Sequence, residues 1–176
     1  MIYPIYTYGE DILRKTAKDV DLSNSTLSAL ISDMYETMHN ANGAGLAAPQ
    51  IGMDVRVVVI EEEIREGELF NIVLLNPKIL NYSGYLSGMT EGCLSFPGLS
   101  AYVTRPVTVE IEWYDEKKQF HRQFFSDIKG RIIQHEIDHL NGTVFIDRIH
   151  PEDRMKLFYQ LENIKNKKVK TIYPIK

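Results

Sequence analysis

The sequence predicts an α+β fold, with mostly antiparallel sheets packed around a central helix and a further helix at the C-terminus. Three observations support this prediction. Strand-like segments are grouped in the middle of the chain, helix-like segments lie before and after them, and regular β-α-β alternation is absent. The length of 176 residues fits one domain, over residues 1–176, that can bury a proper core.

The first half of the strand region contains two runs of β-branched residues. Residues 55–60 are mostly valine and isoleucine, which is typical of a buried strand. Residues 61–68 are highly charged and predict a solvated loop or hairpin turn. A second strand is expected over 72–75, and Asn76-Pro77 should end it because proline cannot donate a backbone hydrogen bond.

In the second half of the strand region, strands are predicted from the alternation of apolar and polar residues. Residues 79–89 alternate loosely between apolar and polar side chains, and Gly84 and Gly88 interrupt the pattern. Residues 107–113 alternate cleanly between apolar and polar side chains, the pattern of a half-exposed antiparallel strand. Residues 115–118 predict a turn, after which residues 119–125 should pair back on the preceding strand.

Two amphipathic helices are predicted outside the strand region. Apolar residues recur at helical spacing between Leu27 and Met38, and that helix should end near Gly43. Residues 151–176 predict a C-terminal helix that begins at Pro151 and a basic tail. The lysines of the tail fit a solvated helix end, where positive charge is favourable to the helix dipole.

The central helix is predicted between residues that can cap its two ends. Ser126 or Asp127 can cap its start, and Gly142 stands where a residue in the left-handed conformation would end it. His135 and His139 are four residues apart, so their rings project from one face of the helix. Two imidazoles held in this way can share one divalent cation.

Glu136 lies one step around the helix from His135 and would flank such an ion, which suits a general base. The alternative is that both histidines are packed core residues, because Ile128 and Ile132 fall on the same helical stripe. Two histidines at this spacing with an adjacent glutamate favour the metal site. The motif alone does not specify a reaction.

Two further segments could complete the site. Residues 43–50 form either a helix cap with a tight connection or a backbone that approaches a ligand closely, with Gln50 as an amide donor. Cys93 is either a small buried apolar residue or a third metal ligand. His121, His150 and many carboxylates compete for that third position.

Composition limits the classes of function. The apolar fraction of 44% and the charged fraction of 25% are those of an ordinary soluble protein, and a net charge of -4 gives no general reason to expect DNA or RNA binding. No apolar run approaches the ~20 residues needed to cross a bilayer, and the N-terminus lacks the pattern of a signal peptide. The single cysteine excludes an intrachain disulfide. These features predict a cytoplasmic protein without a membrane or DNA partner.

Three segments together resemble the signature motifs of peptide deformylases, in the same order and at plausible separations. They are Gly43–Gln50, Glu91–Ser95 and Gln134–His139. Residues 8–15, 104–106 and 142–148 also resemble that family, so the resemblance leaves out only the C-terminal tail. Gly130 replaces an alanine that is usual in the family, which predicts a loss of roughly 0.5–1 kcal/mol of helix stability.

The resemblance implies an enzyme that removes the formyl group from the N-terminal formyl-methionine of newly synthesised polypeptides. It implies that Cys93, His135 and His139 bind one divalent metal ion, with Fe²⁺ expected in cells and Zn²⁺, Ni²⁺ or Co²⁺ possible in purified protein. Hydroxide generated at the metal would attack the formyl carbon. Glu136 would accept the proton and deliver it to the departing amine.

The resemblance also implies how the substrate is held. The Leu94 N–H and the Gln50 side chain would stabilise the developing oxyanion. Extended substrate backbone would add as a strand, and a pocket would accept the methionine side chain. The residues expected to contact substrate are Gly43, Gly45, Glu91, Gly92, Ile128 and Ile132. The basic tail would contact the ribosome near the exit of the nascent chain.

Two other classes of protein share part of this pattern. A zinc protease shares the His-Glu-x-x-His helix, but no third histidine lies at metzincin spacing and the segment around Cys93 would have no role. A structural metal domain or an inactive ribosome-binding homologue would need no catalysis. Structural metal sites are closed by four ligands, and only three are evident here.

Overall fold

A computed structural model describes residues 1–176 and contains four α-helices and five strands. The helices are α1 (Leu27–Asn40), α2 (Asp127–Leu140), α3 (Pro151–Lys156) and α4 (Phe158–Lys165). The strands are β1 (Gly45–Ala47), β2 (Val57–Arg65), β3 (Glu68–Gly92), β4 (Ser100–Tyr114) and β5 (Phe120–Ser126). Short 3₁₀ turns lie at Asp11–Arg14, Ala48–Ile51 and Phe145–Arg148.

The five strands form a single sheet in which the strand order follows the chain and every neighbouring pair is antiparallel. Helix α2 packs on this sheet through Ile133, Ile137 and Leu140, which share a core cluster with Val109 and Ile111 of β4. The predicted α+β class, with a central helix and a helical C-terminal region, is confirmed. One continuous sheet takes the place of the several sheets that the sequence predicted.

The longest strand, β3, runs through the point where the sequence predicted a strand end. Asn76 has a φ of 51°, and the pairing of β3 with β4 shifts register between Leu75 and Lys78. The Asn76 side chain accepts a hydrogen bond from the Val20 N–H at 2.7 Å, which holds this bulge in place. The prediction that Pro77 ends the strand was wrong, because a bulge absorbs a residue that cannot donate to the ladder.

The charged run of residues 61–68 is mostly strand and not loop. Strand β2 continues to Arg65, with Glu61 paired to Asn71 of β3, and only Glu66 and Gly67 form the turn. Gly67 has a φ of 76°, a backbone conformation that glycine adopts without strain. Because this end of the hairpin extends beyond the core, it can carry charge and remain a strand.

Helix α1 ends near the predicted position, but Gly43 is not its left-handed cap. That conformation belongs to Asn42, which has a φ of 53°. A β-carbon at Gly43 would lie 2.6 Å from Leu94 Cδ1, so the glycine is needed for close packing against the segment that follows β3. The Gly43 N–H bonds the Met38 carbonyl at the end of the helix, but of the two alternatives for this glycine the structure favours close packing over the left-handed cap.

Helix α2 has the predicted extent, and Gly142 follows it with a φ of 69°. Ser126 occupies the N-cap position but makes no side-chain cap bond, because its hydroxyl pairs with Thr108 Oγ1 at 2.8 Å. Asp127 has a φ of 55° and places a carboxylate in the first turn, where its negative charge interacts favourably with the helix dipole. Of the two predicted capping residues, Ser126 is thus the N-cap, but its side chain makes no capping hydrogen bond.

The predicted C-terminal helix is divided into α3 and α4, which are separated by one residue. The tail that follows packs back on the N-terminal arm. Lys167 Nζ lies 2.8 Å from Glu10 Oε1, and Ile175 forms a β-bridge with Ile5. At least one tail lysine is therefore part of a tertiary contact. None of the helices has the length and apolar character required to cross a membrane.

Candidate metal centre

Two elements that are distant in sequence bring a thiol and two imidazoles together. Helix α2 presents His135 and His139 from one face, with ring centroids 5.2 Å apart, and Cys93 follows directly after β3. Cys93 Sγ lies 3.2 Å from His139 Nε2. The donor atoms of the three residues all lie within 4.8 Å of one another, a spacing that one metal ion can bridge.

Each histidine presents a defined nitrogen to this centre. His135 Nδ1 lies 3.0 Å from Glu91 Oε2, which leaves Nε2 for a ligand. His139 directs Nε2 toward the thiol, and its buried Nδ1 has no hydrogen-bond partner. One thiolate and two imidazoles suit a divalent transition metal. The group comprises three protein donors, the number that catalytic zinc-type sites use.

The competing histidines have other roles. His121 Nε2 lies 2.8 Å from Asp115 Oδ2, and its ring stacks on Trp113. His150 precedes α3, where its Nδ1 accepts a hydrogen bond from the Glu152 N–H. Neither residue belongs to the cluster of donor atoms around Cys93, so both are excluded as the third ligand.

Burial and neighbouring charges separate the two ligand histidines. Burial holds the pKa of His139 well below its ordinary value, so this imidazole is neutral and ready to bind a cation. Burial also acts to lower the pKa of His135, but hydrogen bonds to Cys93 and Glu91 outweigh it and raise that pKa. Metal binding requires the neutral form of both imidazoles and would therefore release any proton held by His135.

Glu136 is buried and directed at the same centre. Burial raises the pKa of its carboxyl group to about 7, so the group can exchange a proton near neutral pH. Its Oε2 is buried without a hydrogen-bond partner. The other oxygen packs against Gly45 of β1, where a β-carbon would lie 2.6 Å away. The carboxylate therefore faces the site with one oxygen free.

Two hydrogen-bond donors lie beside the thiol. Gln50 is buried, and its Oε1 accepts a hydrogen bond from the Ala47 N–H at 2.9 Å, which directs its Nε2 toward Cys93 Sγ at 3.5 Å and Ser95 Oγ at 3.2 Å. The Leu94 N–H donates to no acceptor within the protein. The Leu94 N–H is thus free to donate to an oxygen atom that develops negative charge close to the metal, and the Gln50 amide, which donates to Cys93 and Ser95, is held beside it.

Glu91 orients the His135 ring through a hydrogen bond to Nδ1, the nitrogen that faces away from the metal centre. Its Oε1 accepts hydrogen bonds from Arg105 Nε and Arg131 Nη1, both at 2.7 Å, and its Oε2 accepts from Arg105 Nη2 at 2.9 Å as well as facing His135. Burial acts to raise the pKa of Glu91, but the hydrogen bonds from Arg105 and His135 hold it well below its ordinary range. Both oxygens of this carboxylate are engaged within the protein.

Arg105 links the two ligand-bearing segments, a role that was not predicted from the sequence. Its side chain is 1% exposed and bridges Glu91, two residues before Cys93, to Asp138, the residue before His139. Arg148 also binds Asp138, at 2.5 Å. A signal was available: Arg105 shares the inward parity of Val103 and Val109 on β4, and an inward arginine on an alternating strand needs a buried anionic partner.

A cavity of about 580 Å³ opens over the centre. The predicted residues that line it are Gly43, Gly45, Gln50, Glu91, Gly92, Cys93, Leu94, Ile128, Ile132, His135 and Glu136. His139 is 1% exposed and lies beneath the cavity wall. Ile64, Met89 and Arg131 also line the cavity and were not predicted. Ile64 and Met89 lie on β2 and β3, whose approach to α2 depends on the strand register.

Known proteins with similar sequences and structures share one family. The family model described as polypeptide deformylase matches residues 2–155. A peptide deformylase of Chlorobaculum parvum is 43% identical over 177 residues, covering 99% of this chain and 94% of the relative. A peptide deformylase of Arabidopsis thaliana, solved with an inhibitor, has 38% identity and a TM-score of 0.86 over 94% of this chain and 91% of its own. The Thermus thermophilus enzyme has 36% identity and a TM-score of 0.84 over 94% and 99%.

Proposed function

This chain belongs to the polypeptide deformylase family, and we propose that its thiol–imidazole centre carries out that family's reaction with the residue roles given below. The enzyme is a metal-dependent hydrolase that removes the formyl group from N-terminal formyl-methionine. The observation that carries the assignment of roles is the convergence of Cys93, His135 and His139 within 4.8 Å at the base of a cavity, beside a buried Glu136.

Cys93, His135 and His139 are proposed to hold one divalent cation. A cation bound there lowers the pKa of water and polarises a carbonyl oxygen. The chain's own contribution is to keep His139 neutral by burial and to orient His135 through its hydrogen bond to Glu91. The missing fourth protein ligand leaves room for the reacting groups.

Glu136 is proposed to move the proton in this reaction. Its carboxylate takes a proton from water as the formyl carbon is attacked and returns it to the departing amine nitrogen. In the metal-free protein burial raises the pKa of this carboxyl group to about 7, and a cation bound beside it would favour the charged form that accepts the proton. The free Oε2 is the atom assigned to this transfer.

Gln50 and Leu94 are proposed to stabilise the negative charge that develops on the formyl oxygen. The Gln50 amide is already oriented by the Ala47 N–H, and the Leu94 N–H has no other acceptor. Donors fixed before the reaction require no reorganisation in the transition state. Each such donor contributes about 2.7–4 kcal/mol in comparable sites.

The substrate backbone is proposed to lie extended between Gly45 and Gly92, and the methionine side chain to enter the pocket formed by Gly43, Ile128 and Ile132. Strand β1 is an edge of the sheet, so an extended peptide can pair with it irrespective of its side chains. The cavity wall includes all five of these residues. Because both oxygens of Glu91 are engaged, we assign its carboxylate to holding His135 and only its backbone to the wall.

We propose Fe²⁺ as the native metal. One thiolate and two imidazoles accept Fe²⁺, Zn²⁺, Ni²⁺ or Co²⁺, and the usual order of affinities favours zinc over iron once the protein is purified. Oxidation of the Cys93 thiol would destroy the donor set, so the enzyme should lose activity in air. Purification without oxygen is therefore part of any test.

The decisive experiment is deformylation of a formyl-Met tripeptide by the wild-type protein prepared without oxygen. We expect release of formate and a free amino terminus, with no cleavage of the same tripeptide lacking the formyl group. Peptide-bond cleavage of the unformylated tripeptide would instead identify a protease. Bound metal without either activity would indicate a structural metal domain.

We further propose that the enzyme acts in the cytoplasm, where nascent chains emerge, and that the basic tail contacts the ribosome. The exposed Lys168 and Lys170 are the candidates, because Lys167 is already paired with Glu10. Charge reversal at both exposed lysines should weaken co-sedimentation with ribosomes at low salt. Unchanged co-sedimentation would exclude this contact.

A further inference from the structure

Residues 171–176 are fixed by several hydrogen bonds and lie beside the metal centre. Ile5 donates its N–H to the Pro174 carbonyl at 2.9 Å and accepts a hydrogen bond from the Lys176 N–H at 2.8 Å. Lys167 Nζ donates to the Lys176 carbonyl at 2.6 Å. Thr171 Oγ1 donates to the Tyr173 carbonyl at 2.6 Å, which fixes the backbone at that tyrosine. We call residues 171–176 the C-terminal strap, and they lie beyond the residues matched by the family model.

The strap reaches the turn that follows β3. The Tyr173 hydroxyl donates to the Leu94 carbonyl at 2.9 Å. Leu94 lies in a turn closed by the hydrogen bond from the Phe96 N–H to the Cys93 carbonyl at 2.8 Å. This turn carries both the thiol and the free Leu94 N–H. A bond to the Leu94 carbonyl therefore acts on the backbone immediately after the proposed oxyanion donor.

All three carbonyl groups of this turn are held by different parts of the chain. Phe96 holds the carbonyl of Cys93, the Tyr8 N–H holds that of Ser95 at 2.8 Å, and Tyr173 holds that of Leu94. The first two bonds come from backbone N–H groups. The third comes from a side chain, so a single substitution can remove it without altering the backbone.

We propose that Tyr173 is a positioning residue for deformylation, which holds the Leu94 carbonyl so that the turn presents the Cys93 thiol and the Leu94 N–H in register with His135 and His139. This inference rests on the proposed roles of Cys93 and Leu94. The strap thus supports the turn that carries Cys93 from outside the cavity, and its function is separate from any contact of the exposed lysines with the ribosome.

The chemistry of the hydroxyl fits this role. Tyr173 is half-buried, and burial, with a smaller effect of Cys93, raises its pKa to about 12. The hydroxyl therefore keeps its proton and remains a donor at any pH where the enzyme works. Phenylalanine would preserve the ring and remove only this donor, which makes Tyr173→Phe the appropriate variant.

The test compares Tyr173→Phe with Tyr159→Phe, a matched control on α4 whose side chain is 81% exposed. We expect Tyr173→Phe to lower kcat about 3- to 10-fold, the range for loss of one neutral hydrogen bond, with KM within about twofold of wild type. Tyr159→Phe should match wild type. A Tyr173→Phe enzyme with wild-type kcat overturns the proposal, even if its thermal midpoint falls, because the bond would then be structural only.

A second readout does not depend on activity. With Co²⁺ bound, the visible absorption spectrum reports the geometry of the thiolate and imidazoles around the ion. We expect the Tyr173→Phe spectrum to shift and that of Tyr159→Phe to superimpose on wild type. If wild-type protein lacks deformylase activity, the proposed function fails and the spectrum alone decides: a shift supports the positioning role, and superimposed spectra overturn it.

A double variant tests whether the strap acts on the active centre through the Tyr173 hydroxyl. Lys167→Met removes the hydrogen bond to the Lys176 carbonyl that anchors the strap, and should lower kcat in the same direction as Tyr173→Phe. Once the strap is loosened, loss of the hydroxyl should have little further effect, so the double variant should resemble Lys167→Met alone. Fully additive losses would contradict a shared route through Tyr173.

Discussion

The carboxylate of Glu136 lies directly against the α-carbon of Gly45, so that a β-carbon at position 45 would lie 2.6 Å from Oε1. This contact joins α2 to the edge strand β1. It explains why the proposed proton carrier and the proposed substrate-binding backbone are found side by side, with no space for a side chain between them.

Gly45→Ala should displace the Glu136 carboxylate and reduce kcat/KM on a formyl-Met peptide by about 100-fold, the usual effect of an ångström-scale misplacement. Metal content should be unchanged, because neither residue is a proposed ligand. The variant is checked by steady-state kinetics and metal analysis. Wild-type kinetics would show that the carboxylate tolerates displacement.

Glu136→Ala and Cys93→Ala should fail in different ways. Glu136→Ala should retain the metal and lose deformylation by about 10²- to 10⁴-fold, the range for a general acid–base group. Cys93→Ala should lose the metal itself, since only two imidazoles would remain. Metal analysis and the peptide assay on both variants separate the roles. Equal loss of metal from both would contradict the role given to Glu136.

Arg105→Met should lower the free energy of unfolding by about 3–5 kcal/mol, because Glu91 and Asp138 would lose a buried countercharge. Chemical denaturation measures this change. The control is Arg122→Ala, which breaks an ion pair with Glu110 at an arginine that is 57% exposed, and its effect should be far smaller. Similar losses for the two variants would refute the linking role of Arg105.

Gly130→Ala should destabilise the protein by about 1–3 kcal/mol, the range for overpacking a core. A β-carbon at this position in α2 would lie 2.7 Å from the Phe125 carbonyl oxygen and 3.2 Å from that of Val107. Helix propensity alone predicts the opposite sign, a gain of roughly 0.5–1 kcal/mol. The thermal midpoint of the variant distinguishes overpacking from helix propensity. A higher midpoint would show that the neighbouring backbone shifts to accommodate the β-carbon.

Glu136 should make the metal-free protein less stable as pH rises. Its pKa is raised to about 7 in the folded state from 4.5, so the folded state binds the proton more tightly. The stabilisation is complete below pH 4.5 and is lost as pH rises through 7. The free energy of unfolding of metal-free Glu136→Gln, relative to that of wild type, should therefore increase by on the order of 3 kcal/mol as pH rises from below 4.5 to above 7. Denaturation curves at several pH values test this, and a constant difference would contradict it.

The sequence by itself determined the α+β class, the central helix with its two histidines on one face, and many but not all of the residues around the cavity. These features follow from local periodicity and from motifs, in which each residue type already implies its conformation or chemistry. Gly142 at the end of α2 is an example, because few other residues adopt its backbone angles without strain.

Only the tertiary structure decided the features that depend on strand register and on contacts between distant segments. The passage of β3 through Pro77 required the bulge at Asn76, which pairing with β4 reveals. The pairing of Arg105 with Glu91 and Asp138, and that of Tyr173 with the Leu94 carbonyl, join residues up to 79 positions apart. Such contacts leave no periodic signal in the sequence, because their energy depends on distances that exist only after the chain has folded.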